Sequence, residues 1–72
     1  MAAETIYSEV TGSVWKIQSK PGDQLEADGT IMILESMKME IPVLAETAGT
    51  LTMLAVNEGD VVQEGDLIAV IE

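Results

Sequence analysis

The chain matches itself. Sliding it along its own length by 37 positions lays residues 6–35 on residues 43–72, and the agreement runs through both segments. Glu9, Gly12, Gly22, Asp23, Ile31 and Glu35 fall on Glu46, Gly49, Gly59, Asp60, Ile68 and Glu72. Apolar positions correspond as well: Ile6 with Val43, Val14 with Leu51, Ile17 with Leu54, Leu25 with Val62, Ile33 with Val70 and Leu34 with Ile71. A duplication of this kind restricts the fold to two similar halves, each too small to bury its own apolar face and therefore obliged to cover the other.

Within each copy the pattern predicts strands. Gly, Pro and Asp-Gly punctuation recurs every eight to ten residues, at Pro21-Gly22-Asp23, Asp28-Gly29, Glu58-Gly59-Asp60 and Gly65-Asp66, which is too close for a stable amphipathic helix. The predicted strands are Thr5–Val10, Val14–Ser19 and Thr30–Glu35 in copy one, and Ile41–Leu44, Thr50–Val56 and Leu67–Glu72 in copy two. A short extended piece near Leu25 and another near Val62 bring each copy to four. The expected fold is all-β: a flattened barrel or sandwich of two four-stranded antiparallel sheets with quasi-twofold symmetry. An open sheet is the alternative, and it would leave Ile31, Ile33, Ile68 and Val70 poorly covered. The three-residue spacing from Val14 to Ile17, repeated from Leu51 to Leu54, breaks strict alternation and points to a bulge, or to a twist where the strand changes sheets, in each copy.

Composition narrows the function. With 72 residues the chain makes one domain, residues 1–72, which buries about 60% of the surface it exposes when unfolded and has no room for a deep substrate cleft. It has no histidine and no cysteine, hence neither a ready proton shuttle at neutral pH nor a thiolate nucleophile, and autonomous catalysis is not expected. Thirteen acidic residues against three lysines give a formal charge of −10, which repels nucleic acid and anionic membrane surfaces. The acidic turn Asp23–Gly29 lacks the ligand spacing of a calcium loop, so no metal is expected. The N-terminus has neither the basic start nor the apolar run of a secretory signal, and the expectation is a cytoplasmic, monomeric domain. Trp15, beside Lys16, reads as a partly buried packing residue, with a partner contact as the alternative, and Met32 and Met53 read as core gap-fillers.

Only Ser36–Pro42 lies outside the repeat, joining the last strand of copy one to the first of copy two. So short a link is a tight hairpin whose apex points into solvent, and Lys38 stands at that apex near the symmetry centre of the sequence.

The apex, Glu35-Ser36-Met37-Lys38-Met39-Glu40, resembles the attachment motif of the biotinyl (biotin/lipoyl attachment) domains, in which a lysine between two methionines receives biotin. The resemblance extends over Gly12-Ser13-Val14, Gly22-Asp23, Gly29, Ile41, Gly49, Gly59-Asp60 and Gly65, and is close to the small attachment proteins and to the carrier domain of urea carboxylases. Ser36 stands where alanine is usual, and Glu9 and Glu46 where proline often occurs. No insertion interrupts copy one, so the protruding thumb of some acetyl-CoA carboxylase carriers is absent.

The resemblance implies a non-catalytic biotin carboxyl carrier with covalent biotin on Lys38. Met37 and Met39 would offer a biotin protein ligase an adaptable apolar surface, with Glu35 and Ser36 flanking the motif. Biotin carboxylase would load carboxylate onto the ureido nitrogen, and a carboxyltransferase would unload it. A lipoyl carrier is the nearest alternative, although in that family the lysine typically follows an aspartate where Met37 stands here. An unmodified structural adaptor is the other.

Overall fold

The repeat's turn residues divide the chain into eight strands, and the computed structural model, which describes residues 3–72, contains no helix among them. The strands are β1 (Glu4–Tyr7), β2 (Gly12–Ile17), β3 (Gln24–Leu25), β4 (Thr30–Ser36), β5 (Met39–Leu44), β6 (Gly49–Leu54), β7 (Val61–Val62) and β8 (Leu67–Ile71). They form two four-stranded sheets, ordered β1-β8-β6-β3 and β5-β4-β2-β7, and every pairing is antiparallel. Advancing each strand of the first sheet by one repeat (β1 to β5, β8 to β4, β6 to β2, β3 to β7) reproduces the second in the same order. The duplication is therefore a quasi-twofold that exchanges the sheets, and each sheet takes two strands from each copy.

Turns cross between copies in the same symmetric way. Gly22 N–H donates to the Leu51 carbonyl (2.7 Å), while its repeat mate Gly59 donates to Val14, the mate of Leu51 (2.8 Å). Leu51 N–H returns a bond to Asp23 and Val14 N–H to Asp60, each at 2.8 Å. The carboxylates of these aspartates close their own turns by accepting Lys20 N–H (3.1 Å) and Asn57 N–H (2.9 Å).

The core lies between the sheets and is built from repeat mates: Val14 with Leu51, Ile31 with Ile68, Met32 with Ala69 and Leu34 with Ile71, all with 1% or less of their surface exposed. Burying a side chain of the Val, Leu or Ile size contributes about 1.5–3 kcal/mol, and this supplies the cohesion that disulfides provide in many small domains. The two sheets face each other as a sandwich and do not close into a continuous barrel: the edge strands β1 and β5 are separated by a groove floored by Ile6, Leu34, Ile41 and Val43.

Both expected bulges are present. Register slips between Val14 and Lys16 against β4, and between Leu51 and Met53 against β8. Each slip places two consecutive residues on the outer face, Trp15-Lys16 and Thr52-Met53, while Val14 and Leu51 stay buried. This corrects two sequence expectations. Trp15 is 51% exposed instead of packed, and Met53 is exposed on the same principle, whereas Met32 is buried as a core residue should be.

Candidate functional site

Strands β4 and β5 extend further into the connecting segment than the repeat boundary indicates. Ser36 pairs with Met39, so the loop between them is the two residues Met37 and Lys38. Both have positive φ, 53° and 67°. Two-residue loops of this kind match the right-handed twist of the flanking strands and ordinarily use Asn-Gly, because a left-handed backbone costs a β-carbon-bearing residue about 1–2 kcal/mol. Here neither residue has the usual relief. Uncommon backbone geometry of this sort is concentrated at functional sites, where surrounding structure holds it in place.

The support is visible residue by residue. β4 is the longest strand and pairs on its far side with β2, so the β4–β5 stem of the hairpin is braced from within the sheet. Ser36 Oγ donates to the Thr11 carbonyl (2.8 Å), tying the end of β4 to the segment that leads into β2. Thr11 in turn accepts Glu64 N–H on its hydroxyl (3.4 Å). Gly12 runs so close to the Glu35 carbonyl that a β-carbon at this position would overlap it, and its mate Gly49 stands the same way to Glu72 (2.7 Å). Only glycine lets the two backbones approach here.

At the apex Met37 is 91% exposed and Met39 64%, and Lys38 is exposed between them. Two neighbouring side chains with an apolar, flexible character flank one exposed amine. Glu35 and Glu40 face each other directly across β4 and β5, one row behind the apex, and both are exposed. Lys16 and Lys20 are exposed too, but Lys16 sits in the β2 bulge beside Trp15, and Lys20 enters the Pro21-Gly22 turn. The two ends of the molecule are distinct: β1 leads from its pairing with Ile71 beside the C-terminus toward Thr11, which holds Ser36 at the hairpin end. Sequence reasoning brought Glu35, Ser36, Met37, Lys38 and Met39 together correctly as one hairpin. It missed Thr11, whose contribution is a backbone carbonyl and carries no sequence signal.

An exposed lysine held at the tip of a rigid hairpin, in a duplicated β-sandwich, is the arrangement of an attachment domain, and the profile of the family described as biotin-requiring enzyme, the biotin/lipoyl family, matches residues 2–71. The chain belongs to that family. Among relatives of this biotinyl domain, a biotinylated protein TB7.3 homolog of Mycobacterium leprae (strain TN) is 49% identical over 69 residues, covering 96% of this chain and 97% of that one. In the crystal structure of the Kluyveromyces lactis urea carboxylase, a segment making up 6% of that chain superposes on all of this one with a TM-score of 0.93 at 42% identity. The lipoyl domain of the 2-oxoglutarate dehydrogenase complex from Azotobacter vinelandii shares the fold at a TM-score of 0.77 and 29% identity, with coverage of 93% and 95%. No helix among the described residues is long and apolar enough to cross a membrane, and these residues hold no cluster of three or more metal-ligating side chains.

Proposed function

We propose that this biotinyl domain is a carboxyl carrier that receives biotin as an amide on Lys38 and presents it in turn to a biotin carboxylase and a carboxyltransferase. The observation that carries the reading is the Met37-Lys38 loop itself. It holds a solvent-exposed amine in a backbone conformation that neither residue favours, on a stem braced by β2, β4 and β5. The residues fit the cofactor: the amine-bearing residue is exposed, and Met37 and Met39 place apolar surface on both sides of it for a biotin protein ligase to grip.

Biotin, when attached, supplies a ureido nitrogen able to carry a carboxylate. The chain's own part is mechanical. Lys38 contributes the amine and a flexible arm, while Ser36, Thr11 and Gly12 keep the hairpin from folding aside. Tethering raises the effective concentration of the reacting group at successive active sites, into the millimolar range for short flexible links. No slow-releasing complex is required, and a rigid post with a flexible tip serves both encounters. The isolated domain is expected to act as a monomer and to contribute no catalytic group.

The likeness to a lipoyl domain keeps lipoate as the second reading, and Met37 at the position before the lysine favours biotin. The deciding experiment is intact mass and peptide mapping after incubation with biotin, ATP and a biotin protein ligase, on the wild type and on Lys38→Arg. One biotin on Lys38, absent from Lys38→Arg, is the expected result. An adduct on Lys16 or Lys20, or lipoylation of Lys38 in place of biotin, would overturn it, and no adduct at all would favour a structural adaptor.

A further inference from the structure

The duplication provides an internal control, since each outer-face position within residues 6–35 has a mate at the corresponding place within residues 43–72. On the sheet that carries Lys38, the row behind the hairpin reads Val61, Ser13, Glu35, Glu40 across β7, β2, β4 and β5. Trp15 follows two residues further along β2. Val61 is 74% exposed and Trp15 half exposed. Their mates on the other sheet are Gln24 and Thr52, also exposed and both polar. The shared backbone therefore requires no apolar residue at either position. Tyr7 does not separate the sheets in this way, being matched by Leu44, and Met53 on the other sheet, whose mate is Lys16, is less exposed (39%) than either Trp15 or Val61.

We propose that Trp15 and Val61 form a second contact by which the enzyme that acylates Lys38 grips the domain, an inference that rests on the biotin-carrier reading. Reach selects this occupant. An extended lysine side chain spans only about as far as two residues of strand, ~7 Å, whereas Trp15 lies roughly 15 Å behind the apex along the strands. An enzyme that must bring the bare amine to its reacting centre has to close over the whole hairpin, and its body then lies alongside Ser13 and Trp15. An enzyme acting at the far end of a lengthened arm stands further off. Tryptophan is also the side chain most enriched among residues that dominate binding energy.

Charge describes the socket on the other side. Glu35 and Glu40 border the apolar pair toward the hairpin, and Glu58 and Asp60 border β2, where Glu58 accepts Ile17 N–H (2.9 Å) and the Asp60 carbonyl accepts Val14 N–H. A complementary partner presents an apolar recess for the indole within a basic rim, which suits a domain of charge −10.

The test exchanges the mates. Trp15→Thr with Val61→Gln puts residues on β2 and β7 that the same backbone already carries on β6 and β3, so the fold is retained and is checked by far-UV circular dichroism. Initial rates of biotinylation are measured against acceptor concentration with a biotin protein ligase, biotin and ATP. KM is expected to rise ten-fold or more with kcat within two-fold of wild type, because the amine and its chemistry are untouched. The converse variant, Thr52→Trp with Gln24→Val, should match wild type. A folded Trp15→Thr/Val61→Gln variant with wild-type KM overturns this inference alone, as does an equal rise in KM in the converse variant. A wild-type protein that takes no biotin overturns the carrier reading together with it.

Discussion

Replacing Met37-Lys38 with Asn-Gly (Met37→Asn, Lys38→Gly) should stabilise the domain while removing the proposed acceptor lysine. In the native hairpin both residues have positive φ, 53° and 67°, and both carry a β-carbon. That conformation costs about 1–2 kcal/mol per residue, so the loop stores roughly 2–4 kcal/mol, part of which is relieved by relaxation of the exposed side chains. Asparagine tolerates the left-handed region and glycine adopts it freely, but glycine returns about 0.5–1 kcal/mol through the greater freedom of the unfolded chain. A net gain of about 1–2 kcal/mol remains. For a domain of this size each kcal/mol moves Tm by about 4–8 °C, so the expected rise is roughly 4–16 °C, with an increased urea midpoint and unchanged slope. Lys38→Arg keeps the same backbone demand and should stay within about 0.5 kcal/mol of wild type. The reasoning is refuted if the Asn-Gly variant, with unaltered far-UV circular dichroism, melts at or below the wild-type temperature.

Two further outcomes follow from the sheets. Gly12→Ala forces a β-carbon into the Glu35 carbonyl and Gly49→Ala forces one against Glu72, and each should lower stability by about 1–3 kcal/mol in urea unfolding. Glu40→Lys converts the Glu35–Glu40 like-charge pair into an attractive one and should raise stability by about 0.2–1 kcal/mol at low salt, a gain that shrinks as ionic strength increases.

The 37-residue offset made most of the architecture legible, because it doubled every weak local signal: the Val14–Ile17 spacing could be read as a bulge only because Leu51–Leu54 repeated it. The hairpin and the residues at its tip were legible for the same reason, being the one stretch the repeat leaves out. The interleaving of the copies was not. Strand order depends on long-range pairing between residues such as Glu4 and Ile71, and local pattern does not encode a partner. Nor did Met37-Lys38 announce a left-handed loop, since the usual glycine and asparagine are missing and tertiary support substitutes for them. Trp15 was misjudged because an aromatic residue on a strand is ordinarily packed, while the bulge that turns it outward acts on position and not on residue type.

Because the quasi-twofold exchanges the sheets, a lone copy of the repeat would have half of each sheet and could complete them only by meeting a second copy of itself. The present chain is in effect a fused homodimer. Such a dimer would have two equivalent chain crossings, one at each end. In the fused molecule the crossing from β4 to β5 is the lysine-bearing hairpin, whereas its counterpart, β8 to β1, is not joined by a hairpin. Fusion has thus turned a symmetric object into a polar one: a single lysine-tipped hairpin at one pole, and at the opposite pole the start of β1 paired beside the end of β8.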